Sequence, residues 1–284
     1  MLVLILGKHV SISGGINTAP ERAQNLGANC LQIFVKNPRG WKARTLDDKE
    51  ISSWKENIEE FKIKSTVVHD TYLINPASPK DELWKKSVEC MQKEYHRCAR
   101  LGIDYYVIHP GSHTGSGNKK GINRIAEAVN RTLDSRPEAN TILLLENVAG
   151  SGTAVGSNLF ELYDIINNVK AERRVGVCFD TCHAFTAGYN LSRPEKADEV
   201  LHKAGSLFGP EKIFSVHIND SVYGHSSRRD EHAHIGEGEI SEAGLKCVVN
   251  HPVVRDTTFI VEVPPLTENS DRDRDIDKLL SMRR

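Results

Sequence analysis

The sequence has no excess of either charge: 37 lysines and arginines face 38 aspartates and glutamates across 284 residues, leaving a net charge of −1. That balance gives the chain as a whole no pull toward nucleic acid or an anionic membrane, so an acidic partner must be held by a local site. Long apolar runs are also lacking. The opening MLVLILGKHV carries a short one with no basic segment ahead of it and no cleavage-like stretch behind it, and no other run approaches membrane-spanning length. Six cysteines (Cys30, Cys90, Cys98, Cys178, Cys182 and Cys247) are scattered, and with no secretory signal they read as reduced thiols. No linker rich in proline, glycine or serine divides the chain. The expectation is a soluble, cytoplasmic protein of one domain over 1–284, with no membrane attachment and no obligate protein partner. Its 39% hydrophobic and 26% charged content is ordinary for a globular fold with a sizeable core.

Short β-branched, apolar runs recur at 2–7, 30–36, 65–70, 105–110, 141–147, 175–181, 213–220 and 258–263, each the length of one buried strand. Helical stripes lie between them: Ile51, Trp54, Ile58 and Phe61; Trp84, Val88, Met91, Tyr95 and Cys98; Leu159, Leu162, Ile166 and Val169. Segments 19–28, 122–133, 195–207 and 241–249 read as further helices, and DIDKLLSMRR follows the last strand. Strict alternation implies a parallel sheet, because each right-handed crossover returns the chain to the same edge. Eight such units suggest a closed (β/α)8 TIM barrel, with an open doubly wound sheet as the other solution.

The polar residues fall in a pattern. Apolar runs end in His69, His109, Glu146, Asp180, His217 and Glu262, so six of eight strands carry a metal-capable residue near the carboxyl end, where barrel active sites sit. Singly, each is more often a hydrogen-bonded structural residue. Together they would bury many imidazoles and carboxylates in one place, which is very costly without compensating charge, and metal ions supply it. In VCFDTCHAF (177–185), His183 follows Asp180 at a spacing that aims both at neighbouring metals without requiring a helix. In SRRDEHAHIG, Asp230 and His232 would face one side of an extended loop. Cys178 lies deeper in its strand and Cys182 has no second thiol pair at zinc-ribbon spacing, so both are read as packing. Five histidines and four carboxylates are too many for one ion and suit two or three. Zinc is favoured, with manganese or iron next. Three divalent ions with these four carboxylates would be net positive by about two, a local attractor for a phosphodiester.

At these residues the sequence resembles the endonuclease IV family of apurinic/apyrimidinic endonucleases. The matching stretches are HVSISGG (9–15), FVKNPRGW (34–41), HDTYLINPASP (69–79), HPGSH (109–113), ENVAGSG (146–152), VGVCFDTCHAFTAGYNL (175–191), HINDS (217–221) and SSRRDEHAHIGEGEI (226–240), covering nearly the whole chain. The resemblance implies a (β/α)8 barrel with three zinc ions that cleaves double-stranded DNA 5′ to an abasic site, leaving a 3′-hydroxyl and a 5′-deoxyribose phosphate; 3′-end trimming is common in the family. It implies a first metal on His69, His109 and Glu146, a second on Glu146, Asp180, His217 and Glu262, and a third on His183, Asp230 and His232. Glu146 would bridge the first two and orient the attacking water or act as its base. Loops at the same barrel end would bend the duplex and expel the abasic nucleotide, with Arg39, Trp41, Tyr72 and Leu73 entering the minor groove. Arg228 and Arg229 beside Asp230 read as contacts to phosphate, with pairing to nearby acids as the alternative for one of them.

His9, His113 and His234 lie in matching stretches and are expected to support the ligands, whereas His225 matches no ligand and is expected to be solvated. The charged stretch VEVPPLTENSD (261–271) departs from the family pattern beyond Glu262, and no role carries over to it. Two other functions compete. A sugar isomerase or epimerase of the xylose isomerase-like barrels shares the fold but needs fewer of these ligands. A noncatalytic DNA-damage binder would have lost the bridging glutamate or a metal histidine, and neither is lost here.

Overall fold

Aliphatic and β-branched residues form eight strands, β1 (Ile5–His9), β2 (Cys30–Ile33), β3 (Ser65–His69), β4 (Tyr105–Ile108), β5 (Ile142–Glu146), β6 (Val175–Asp180), β7 (Ile213–His217) and β10 (Thr258–Val261). The computed structural model describes residues 4–263 and 272–283. Each of the eight strands pairs in parallel with its neighbours, and β10 pairs with both β7 and β1, closing a barrel. The predicted closed (β/α)8 architecture is therefore present and the open sheet is not. A two-residue antiparallel ribbon, β8 (Asp220–Ser221) with β9 (His232–Ala233), sits on the loop after β7.

Nine α-helices are found among the described residues: α1 (Ala19–Asn25), α2 (Asp48–Glu60), α3 (Asp81–Leu101), α4 (Asn118–Asp134), α5 (Leu159–Asn167), α6 (Thr181–Ala187), α7 (Pro194–Phe208), α8 (Glu242–Asn250) and α9 (Arg274–Met282). The stripe read along 84–98 is the buried face of α3. Helix starts follow local chemistry: Asp47 accepts from the Glu50 N–H ahead of α2, and Asn158 with Glu161 forms a capping box ahead of α5. One helix was not expected. Asp180 accepts from the His183 N–H at 2.6 Å and so starts α6, turning a spacing read as a plain turn into helix. Predicted strands at 30–36, 105–110 and 258–263 stop at Ile33, Ile108 and Val261, because ladder pairing ends where the chain turns into the loops of the site.

Strand alternation divides the barrel into two environments. Cys30, Val67, Val107, Leu144, Cys178 and Ile260 form a separate apolar layer inside the barrel, while the remaining core lies between strands and helices. Gly7 completes that inner layer, since a Cβ there would sit 2.0 Å from the Cys30 carbonyl oxygen. On the opposite face of β1, Lys8 is fully buried and reaches Asp273 at 2.5 Å and Asp275 at 3.4 Å, tying α9 to the first strand. No helix among the described residues is long and apolar enough to cross a membrane.

Candidate metal centre

Two residues beyond the apolar layer the same inward faces turn polar. Val67 is followed by His69, Val107 by His109, Leu144 by Glu146, Cys178 by Asp180 and Ile260 by Glu262. A side-chain period of two thus carries an apolar floor and a polar ceiling on one set of strands. β6 and β7 bring Asp180 level with His217.

Glu146 is fully buried at the centre and uses both oxygens. Its Oε2 lies 3.0 Å from His69 Nε2 and 3.2 Å from His109 Nε2. Its Oε1 lies 3.0 Å from His217 Nδ1 and 3.2 Å from His183 Nδ1. His217 Nδ1 is also 3.2 Å from Glu262 Oε2. To one side, Asp230 Oδ1 is 3.1 Å from His183 Nε2 and 3.4 Å from His232 Nε2. His69, His109 and Glu146 form one compact group of ligand atoms, and His183, Asp230 and His232 form another. In the middle, His217 and Glu262 close on His69. Asp180 joins them through Asn219, whose amide donates to Asp180 Oδ2 at 2.7 Å and to Glu262 Oε2 at 3.2 Å.

The donor set fits metal ions. Zinc bonds of about 2.0–2.2 Å at tetrahedral angles place neighbouring ligand atoms roughly 3.3–3.5 Å apart, close to these separations. The imidazoles are also held in ligand-ready tautomers. His69 Nδ1 donates to the Asp70 carbonyl and His183 Nδ1 to the Asn147 carbonyl, each at 2.9 Å, which turns Nε2 toward Glu146 and Asp230 respectively. His217 is reversed: its Nε2 donates to Gln32 Oε1 at 2.8 Å, so Nδ1 faces the carboxylates.

Electrostatics give the same picture. Burial by itself would push His69 down, but Asp70 and Glu146 hold it well above the usual imidazole value. His183 is likewise raised, against burial, by Asp180 and Asp230. Burial would raise Glu146, yet His217 and His109 hold it well below the ordinary carboxylate range. Asp180 stays raised because burial outweighs His183 and His232. Without ions, the carboxylates are balanced only by protons on imidazoles, and metal cations would take over that role. Burial pushes the Cys178 thiol up and the Cys182 thiol up to about 12, and both sulfurs lie beside the cluster.

Sequence reasoning missed the residues that orient the ligands. Gln32, two beyond Cys30 on β2, donates to Glu262 Oε1 at 2.7 Å and to His9 Nδ1 at 3.1 Å while accepting from His217. Asn147 receives the Asp180 N–H and donates to the Asp180 carbonyl. Asp220, fully buried, accepts four backbone N–H groups, from Ser221, Gly236, Gly238 and Ile240, and pins the loop that carries Asp230 and His232. A polar residue at an inward strand position, or directly after a ligand, was the available signal.

Of the supporting histidines, His9 acts through Gln32, and His234 bonds Asp275 at 2.8 Å beside the 230–232 loop. His113 differs from expectation. Its Nδ1 accepts from Gly115 and Gly117 and shapes the turn into α4. His225 is exposed, its ring against Phe185.

The metal cluster opens into a cavity of about 910 Å³. Of the residues expected on DNA, Tyr72 lines that cavity, 73% exposed, with its ring against Phe34. Arg39 and Arg228 are exposed, one and two residues from the cavity-lining Pro38 and Asp230, and Leu73 is half-buried. Trp41 stands apart, packed against the core with Lys86 over its ring at 4.4 Å. The stretch after Glu262 lies outside the described residues from 264 to 271.

Comparisons with known proteins agree with this arrangement. Residues 20–282 match the family model described as a xylose isomerase-like TIM barrel. A protein of Halothermothrix orenii named "Probable endonuclease 4" is 50% identical over 98% of this chain and 99% of its own. The crystal structure of endonuclease IV from Thermus thermophilus superposes with a TM-score of 0.86 at 35% identity, covering 98% of both chains. A D-tagatose 3-epimerase-like protein superposes with a TM-score of 0.72 at 19% identity, covering 98% of this chain and 95% of its own, which shows the shared barrel alone. The chain belongs to the endonuclease IV family within the xylose isomerase-like TIM barrels.

Proposed function

We propose that this protein is a metal-dependent DNA-repair endonuclease that hydrolyses the phosphodiester 5′ to an abasic site in duplex DNA, leaving a 3′-hydroxyl and a 5′-deoxyribose phosphate. The observation that carries the reading is Glu146, whose Oε2 faces His69 and His109 while its Oε1 faces His217. One carboxylate shared in this way suits a bridge between two ions. Three zinc ions would be held by His69, His109 and Glu146; by Glu146, Asp180, His217 and Glu262; and by His183, Asp230 and His232. When bound, such ions lower the pKa of water and neutralise charge developing on a phosphoryl group.

The chain's own residues do the rest. Glu146 orients the attacking water and accepts its proton at a carboxylate oxygen. Gln32, Asn147 and Asn219 keep the imidazoles and carboxylates from rotating away. Tyr72, with Leu73, Arg39 and Arg228, forms the surface on which the duplex is gripped and the abasic nucleotide turned out, which gives the recessed cluster access to a backbone phosphate. The set His183, Asp230 and His232 is more than a one- or two-metal sugar epimerase needs.

The test is incision of a duplex carrying one abasic analogue by protein as purified, after metal stripping, and with Glu146→Gln. Incision 5′ to the lesion that disappears with both treatments is expected. A metal content near one ion per chain, or no incision by metal-replete protein, would overturn the reading in favour of a sugar epimerase.

A further inference from the structure

A cleft of about 930 Å³ lies away from the metal cluster, between residues 41–46 and α3. Seven lysines and arginines line it against one acid, Glu89, in a chain whose charges are otherwise balanced. Arg44, Arg100 and Arg136 are paired with Glu50, Asp48 and Glu138. For Lys42, Lys86, Lys93 and Arg97 no acid partner is found among the described residues. Arg97 donates to the Arg44 carbonyl, its Nε is buried without a partner, and burial together with Arg44 lowers its pKa.

The basic residues are ordered. Lys86, Lys93, Arg97 and Arg100 recur at spacings of seven, four and three on one face of α3. At 1.5 Å per residue that stripe runs about 21 Å, roughly six nucleotide steps of one strand at 3.4 Å each. A row of cations on a helix is most often a solvated face. Here it forms the wall of a concave cleft, holds a desolvated guanidinium nitrogen, and connects to the metal cavity. Lys36 and Asn37 line both that cavity and an intermediate one of about 500 Å³, which shares Lys42, Arg44 and Arg97 with the basic cleft. Trp41, absent from the metal cavity, lines this cleft.

We propose that the cleft is a second DNA-binding surface that takes the phosphodiester backbone of the duplex flanking the lesion. It rests on DNA being the substrate of the metal site, and it adds a sequence-independent grip remote from the chemistry.

The test compares wild type with the triple variant Lys42→Ala, Lys86→Ala, Lys93→Ala; all three side chains are exposed. Binding is measured by fluorescence anisotropy against salt, using abasic duplexes of about 10 and about 30 base pairs and an undamaged duplex of the longer length. For both long duplexes the slope of log affinity against log salt should fall by about 2.7, about 0.9 per lost phosphate contact. Affinity should fall on the order of ten- to a hundred-fold at 0.1 M salt. The short duplex should bind unchanged, and kcat at saturating DNA should be unaltered. Equal weakening of short and long duplexes, or of neither, overturns the proposal. So does preference for polyglutamate over the long duplex at matched salt, which would make an acidic polypeptide the occupant. If wild type fails to incise abasic DNA yet binds long undamaged duplex through these lysines, the reading of the reaction falls and the cleft stands.

Discussion

Replacing Gln32 with methionine should impair metal binding without touching any expected ligand. Gln32 is fully buried and makes three hydrogen bonds, accepting from His217 Nε2 and donating to Glu262 Oε1 and His9 Nδ1. The amide thereby fixes the tautomer that turns His217 Nδ1 toward Glu146 and Glu262, and it holds one Glu262 oxygen so that the other faces His217. Methionine keeps the volume and removes all three bonds. Loss of such an outer hydrogen bond to a ligand typically lowers metal affinity 10- to 100-fold, and two ligands lose theirs at once here, so roughly 100-fold is expected. Competition with a chromophoric chelator would read this as metal at the His217 and Glu262 group released early, ahead of metal held by the other groups. Gln32→Glu separates the causes: it can still accept from His217 but repels Glu262, so it too should lose the middle ion. Unchanged stoichiometry and affinity in both variants would refute the view that the middle group depends on Gln32.

Three further outcomes follow from the same geometry. In metal-free protein His69 and His183 are held well above their ordinary value, against burial, by neighbouring carboxylates. A raised folded pKa contributes stability that is complete below the unfolded value of about 6.5 and is lost as pH rises through the folded value. Stripped protein should therefore lose Tm as pH rises above neutrality, while metal-loaded protein holds its Tm; parallel curves would contradict this. Lys36 and Glu94 form a buried pair at 3.2 Å. Lys36 also donates to the Gly40 carbonyl and Thr71, bracing the segments that carry Trp41 and Tyr72. Lys36→Met should cost up to about 3–5 kcal/mol in denaturant unfolding by leaving the buried Glu94 carboxylate without its cation, although it still accepts from the Thr71 and Tyr106 hydroxyls, and Lys36→Met with Glu94→Leu should recover much of it. Asp275 is pushed up by burial but held below its ordinary value by hydrogen bonds from His234 and the Ile235 N–H. Its contribution is present above the unfolded carboxylate value and lost as pH falls through the folded one. Asp275→Asn should thus flatten the acid limb of unfolding followed by circular dichroism.

What could be read in the sequence, and what could not, divides along sequence distance. Strand runs and the two-residue period are local, so the barrel and the inward ends at His69, Glu146, Asp180 and His217 were legible from residues within one strand of each other. Helix α6 was missed because an Asp-x-x-His spacing reads equally as a turn, and only the side-chain bond from Asp180 to the His183 N–H decides for helix. Gln32 was missed for a different reason. Two of its three partners lie 185 and 230 residues away, and nothing in CLQIF says that a polar inward position on β2 will meet His217 at the end of β7 and Glu262 just past β10 once the barrel closes. The same holds for Asn219 between Asp180 and Glu262. Metal ligands announce themselves by residue type, whereas the amides that orient them are chemically ordinary and become specific only through barrel closure. A ligand-preserving substitution on β2 should therefore perturb the centre more than loss of an exposed basic residue near the cavity such as Arg228, and metal affinities of the Gln32 variants set beside Arg228→Ala measure that difference.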